Sequence, residues 1–262
     1  MRPDLLEGAP PCSWDEVRAL AARQPVALSM AGPHALLSFC SIAAALGTPP
    51  AAVDPEVFVE PGTGRDVLDV MADLYARMPP HALTLNPIGL LAAMAGGSDV
   101  VLCPLVYGYV NYAMPQAGSG HALAFKDAPV GGPGGRHGST LGGTGLAISR
   151  RASPSPALLD HLRDLMSSAR QRGFIPRHEG QPSSRAAWHD PQVNAACGNF
   201  YSATAATLED AWVRPRYEGF IGFQGRASLA LREGLAARKS PADVLAGLQD
   251  LYTRSRRPGD AN

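Results

Sequence analysis

The stretch Gly96-Gly97-Ser98-Asp99-Val100-Val101-Leu102-Cys103-Pro104-Leu105-Val106-Tyr107-Gly108-Tyr109-Val110-Asn111-Tyr112 decides the fold class. Its glycines end an apolar helical run, its residues 99–103 form a β-rich run, and its tyrosines cluster just past that run. A valine-rich run bounded by Gly and Pro reads as a buried strand. Upstream, Asn86-Pro87 supplies an N-cap and a first-turn proline for a helix through Met94. From Arg65, the apolar residues Val67, Leu68, Val70, Met71, Leu74 and Met78 recur at helical spacing, which predicts a helix ending before Pro79-Pro80. Ser13-Trp14-Asp15-Glu16 matches a capping box and opens a helix to about Arg23, and a short apolar strand follows at Pro25–Ser29. Pro33 opens the next helix, whose apolar positions from Leu36 to Ala43 leave little polar face, so it is expected to be buried.

Downstream, strands are expected at His121–Phe125 and Thr144–Ser149, then a helix over Ala157–Arg170. The remainder reads as helices at Pro191–Phe200, Thr207–Trp212, Phe220–Leu235 and Ser240–Tyr252. Strands alternating with helices early, and helices alone later, imply an α/β fold with a carboxy-terminal helical wrap. The Gly/Pro-rich stretch Gly131–Gly138 reads as a loop, and the tail from Arg254 as disordered.

Composition removes several functions. The 23 basic and 23 acidic residues cancel and no basic run stands out, which argues against nucleic acid as a partner. Gly, Pro or charge interrupts every apolar stretch before it is long enough to span a bilayer, and the first residues lack a secretory pattern. Cys12, Cys40, Cys103 and Cys197 lack paired metal or redox spacing and read as buried apolar residues, with a disulfide as the alternative. The glycines at 138–145 lack the lysine of a phosphate loop, no G-x-S-x-G elbow occurs, and the seven histidines show no metal-ligand spacing. Neither a metal nor a cofactor is expected.

What is left suits binding. His34 follows Gly32-Pro33 at the start of a buried helix, where its ring can donate to a bound polar group. Tyr107, Tyr109 and Tyr112 offer apolar faces together with hydroxyls, a combination suited to sugars and other polar ring-shaped solutes. The turn before Leu146–Ile148 brings backbone close to another surface or to a ligand. Arg214-Pro215-Arg216-Tyr217 reads as an exposed turn or a polar clamp, and Gln224 lies about two helical turns past Tyr217 on nearly the same face.

Taken in order, residues 10–16, 96–104, 142–149 and 214–217 give the chain a resemblance to the family 1 extracellular solute-binding proteins of bacterial ABC importers, a maltose-binding-protein-like group. The resemblance implies a periplasmic-binding-protein type II-like α/β fold: a second lobe at 1–180, a returning segment of the first lobe at 181–213, helices at 214–254 packing back on the second lobe, and a disordered tail at 255–262. It implies capture of a small polar solute of the carbohydrate class, delivery to permease subunits, a periplasmic setting and no catalysis. It points to Tyr107 as a stacking ring, Gly142 and Gly143 as a backbone wall, His34 at the helix start, and Tyr217 and Gln224 as further contacts. Against the family pattern the chain begins after a signal and most of the first lobe. An effector-sensing module, an enzyme of unknown type and a fragment without its own function remain open alternatives.

Overall fold

The computed structural model describes residues 1–115, 118, 120–132 and 134–256. Its helices are α1 (Trp14–Ala21), α2 (His34–Ala45), α3 (Pro61–Arg77), α4 (Pro87–Ala95), α5 (Pro156–Leu165), α6 (Ser168–Arg172), α7 (Phe174–Arg177), α8 (Arg185–Trp188), α9 (Pro191–Ala195), α10 (Ala205–Glu209), α11 (Phe220–Ala236) and α12 (Pro241–Ser255). Local chemistry sets several starts. The Glu16 N–H donates to Ser13 Oγ at 3.2 Å while Glu16 Oε2 accepts from the Cys12 N–H at 2.6 Å. Asn86 Oδ1 accepts from the Gly89 N–H at 2.8 Å, and Ser240 Oγ from the Asp243 N–H at 3.2 Å. Each bond satisfies one of the donors that a helix leaves unpaired at its start.

Every residue of α2 from Ala35 to Ala45 is buried. It packs against α3 and α11, while α12 closes over α11 and α3. Phe58 joins these layers, its ring centroid lying 6.0 Å from Phe39, 5.0 Å from Phe223 and 5.4 Å from Tyr252. The glycine-rich loop also lies on α2: a Cβ at Gly138 would sit 2.2 Å from the Ser41 carbonyl oxygen, so only glycine permits that approach.

The expected strands 25–29 and 99–103 run side by side and parallel, with Val101 N–H donating to the Pro25 carbonyl at 2.9 Å and Ala27 N–H to the Leu102 carbonyl at 3.0 Å. Among the described residues they form an isolated bridge rather than a ladder. Pro25 has no N–H to give, and Pro104 ends the partner. The amino end lies alongside: Arg2 N–H donates to the Val101 carbonyl, and Ala124 N–H to the Met1 carbonyl. Buried Arg2 also donates to the Met94 carbonyl at the end of α4.

Several expectations need correction. No strand forms over 144–149; Leu146 is 68% exposed, and among the described residues no bridge pairs the segment with another. The helix expected over Ala157–Arg170 breaks at Met166–Ser167, where Ser167 caps α6 instead. The helix expected to reach Phe200 stops at Ala195 because Gly198 and Asn199 take positive φ and the Asn194 side chain bonds to Trp188 and Ser202. Trp212 is extended, not helical, and bridges Thr140. Ser255 is buried within α12, so the ordered chain passes the start of the expected tail; residues 257–262 of that tail lie outside the described residues.

Candidate functional site

A cleft of about 1020 Å³ opens where the amino end of α2, the segment 102–109, the segment 139–144 and the start of α11 converge. Residues 124–129 and an arch of residues 181–211 line it too, the latter through Gln181, Trp188, Phe200 and Thr207. The arch is tied down by hydrogen bonds. Asp127 Oδ1 accepts from the Thr207 N–H at 2.7 Å and from its hydroxyl at 2.8 Å, while Thr207 Oγ1 accepts from the Ala128 N–H at 2.7 Å. The Leu141 N–H donates to the Trp212 carbonyl and the Trp212 N–H to the Ser139 carbonyl, each at 2.8 Å.

His34 sits at the cleft wall because α11 clamps the turn before it. Ser228, fully buried, donates to the Gly32 carbonyl at 2.7 Å and accepts from the Leu36 N–H at 3.3 Å. Arg232 donates to the Met30 and Gly32 carbonyls from the same helix. The His34 ring meets Tyr107 edge-on, with centroids 6.0 Å apart and planes at 73°. Burial lowers the His34 pKa from its ordinary value, so the imidazole is held neutral. Burial raises the Tyr107 phenol, partly offset by the charge of Arg214, so it stays a protonated donor. A neutral imidazole and a phenol can each donate and accept.

The glycine wall has a reason in this structure. A Cβ on Gly142 would sit 2.6 Å from Tyr107 Cε1, so the backbone at 142 lies directly against that ring. Gly143 also lines the cleft. Tyr109 and Gln224 line it too, and Gln224 Oε1 accepts from Arg214 Nη1 at 2.8 Å. Six of the seven residues singled out from sequence therefore gather here: His34, Tyr107, Tyr109, Gly142, Gly143 and Gln224.

Tyr217 is not with them. Its ring packs edge-on against Phe220 and Tyr252, and its hydroxyl shares a 2.8 Å hydrogen bond with Ser255 Oγ. Tyr217 precedes α11, so helical spacing from Gln224 does not fix its direction, and the aromatic surface of α12 captures it. Tyr112 likewise turns away, with its hydroxyl 3.5 Å from the Ile88 carbonyl. Sequence reading missed Asp127, on the lining run 124–129, and Thr207, Gln181 and Trp188, which reach the cleft through long-range folding of the arch.

The thiols are structural. Cys40, Cys103 and Cys197 are buried and free, and burial pushes Cys40 up and Cys103 up to about 12. Cys12 is exposed, against the expectation of burial, because it stands outside α1 in the turn that Glu16 holds.

No protein-family model matches the chain, and no curated protein matches it. Solved structures do. Maltose-bound MalE3 of T. maritima superposes with a TM-score of 0.77 at 19% identity, covering 96% of this chain and 68% of that one. An ABC transporter solute-binding protein of Agrobacterium radiobacter K84 in complex with ribitol gives 0.74 at 19% identity, covering 96% and 67%. One from Thermotoga lettingae TMO bound to alpha-D-tagatose gives 0.74 at 15%, covering 94% and 65%. The chain thus spans about two thirds of the length of the structures it matches. Among its described residues no helix is long and apolar enough to cross a membrane. The chain has the periplasmic-binding-protein type II-like fold of ABC-transporter solute-binding proteins.

Proposed function

We propose that the chain is the solute-binding component of an ABC importer and that it captures a small polar solute, a carbohydrate or polyol, without altering it. The observation that carries this reading is the convergence of His34, Tyr107, Tyr109 and Gln224 on one cleft of about 1020 Å³. Aromatic faces with hydroxyls suit the C–H faces of a sugar, while neutral imidazole and amide groups suit its hydroxyls. The likeness to structures holding maltose, ribitol and tagatose supports the same solute class. A periplasmic setting and hand-over to permease subunits belong to this reading. The test is a thermal-shift screen against sugars, polyols, amino acids and polyamines. Ligand at ~100 times its Kd stabilises a protein by about 2.7 kcal/mol. The reading expects a sugar or polyol to raise the midpoint by several degrees; a response to none of these, or to a polyamine alone, overturns it.

A further inference from the structure

Arg214 lines the cleft together with Tyr107, and its one hydrogen bond among the described residues runs to the neutral Gln224 amide. None of the eleven ion pairs among the described residues includes it. A guanidinium has five N–H donors arranged to meet a carboxylate or phosphate edge. With one donor fixed by Gln224, the fork is oriented and the rest of its edge is unclaimed. Two carboxylates also line the cleft: Asp127, whose Oδ1 accepts from the Thr207 N–H and hydroxyl, and Glu179, just before the arch. The other cationic groups at the cleft are the exposed Lys126 and the amino terminus of Met1, whose pKa burial lowers to about 6. The amino end of α2 adds partial positive charge on the wall carrying His34.

We infer that Arg214 is a specificity-determining residue and that the solute carries an anionic group on a polyhydroxylated frame, a sugar acid or sugar phosphate. This rests on the proposed solute-binding reading and narrows it. Tyr107 and His34 take the hydroxylated frame, and the Arg214 fork, steadied by Gln224, takes the anion. Charge-assisted bidentate pairs are among the stronger hydrogen bonds in proteins, so removing the fork costs affinity for the acid selectively.

The experiment is calorimetric titration of the full chain with matched pairs: D-galactose against D-galacturonate, and D-glucose against D-glucuronate and against the corresponding hexose phosphate. Arg214→Gln and Arg214→Lys are measured beside the unaltered chain, with ligand-free melting to verify folding. The expected result is an acid that binds at least about tenfold more tightly than its neutral parent. Arg214→Gln erases that preference, lowering the acid's affinity more than its parent's, and Arg214→Lys keeps part of it. Whether uronate or phosphate is preferred identifies the source of the anion. Neutral sugars binding as tightly as their acids overturn this inference and leave the solute-binding reading standing, as does a preference that survives Arg214→Gln. If Arg214→Gln fails to fold, the preference of the unaltered chain and the Arg214→Lys result decide. Silence across all pairs overturns this inference, and the solute-binding reading then stands or falls on the thermal-shift screen.

Discussion

At position 142 a single methyl group would collide with the Tyr107 ring. Gly142→Ala puts a Cβ 2.6 Å from the Tyr107 ring, and the ring, being partly exposed, yields before the backbone does. Displacing that ring is expected to weaken solute binding roughly tenfold or more, which corresponds to about 1.4 kcal/mol, with little loss of melting temperature. A titration together with a melting curve separates the two effects. His34 carries a pH dependence. Burial holds its pKa below the ordinary 6.5, so the unfolded chain takes up a proton before the folded one. Its neutral state is therefore compatible with full stability above that value, and stability falls as pH drops through it. Denaturant midpoints between about pH 7.5 and 5.5 are expected to fall less steeply in His34→Gln. At the thiols, a native-state labelling reagent is expected to modify Cys12 alone, with Cys40, Cys103 and Cys197 reacting only after denaturation.

Among elements, α2 does most to place the site, because its buried body fixes the direction of its amino end. Leu36→Ala, in a fully buried position, is expected to cost about 2–5 kcal/mol in chemical denaturation. Ser228→Ala removes the link from α11 to the Gly32 carbonyl and the Leu36 N–H and is expected to cost about 1–3 kcal/mol, with weaker solute binding as His34 loses its clamp. By contrast α5 buries none of its residues, and Leu158→Gln there is expected to stay within about 0.5 kcal/mol of the parent. Elements with local instructions were legible in the sequence. Ser240-Pro241 with Asp243 carried the start of α12, Asn86-Pro87 that of α4, and the unbroken apolar run after Pro33 foretold the burial of α2. Elements that depend on distant partners were not. Residues 144–149 have strand-like composition but nothing to pair with, and Trp212 abandons its helical pattern to bridge Thr140, far away in sequence.

At the scale of the whole molecule, the site was legible wherever a residue sits on a rigid element or beside a glycine that only its neighbour explains. His34 and Gln224 are of the first kind and Gly142 of the second. Tyr217 escaped because α12 returns to capture it, and Gln181 and Thr207 reach the cleft only when 181–211 folds against it, Thr207 held there by Asp127. The same arrangement makes the cleft a meeting place of segments scattered from residue 1 to residue 224, so solute in it should tie together parts of the chain that local structure leaves separate. The most direct measurement is a crystal structure of the chain grown with the sugar, polyol or sugar acid that gives the largest thermal shift. The expected result is that solute in the cleft, its frame against Tyr107 and His34 and its polar edge toward Gln224 and Arg214. A cleft left empty at saturating solute, or solute bound on any other face, would contradict the account.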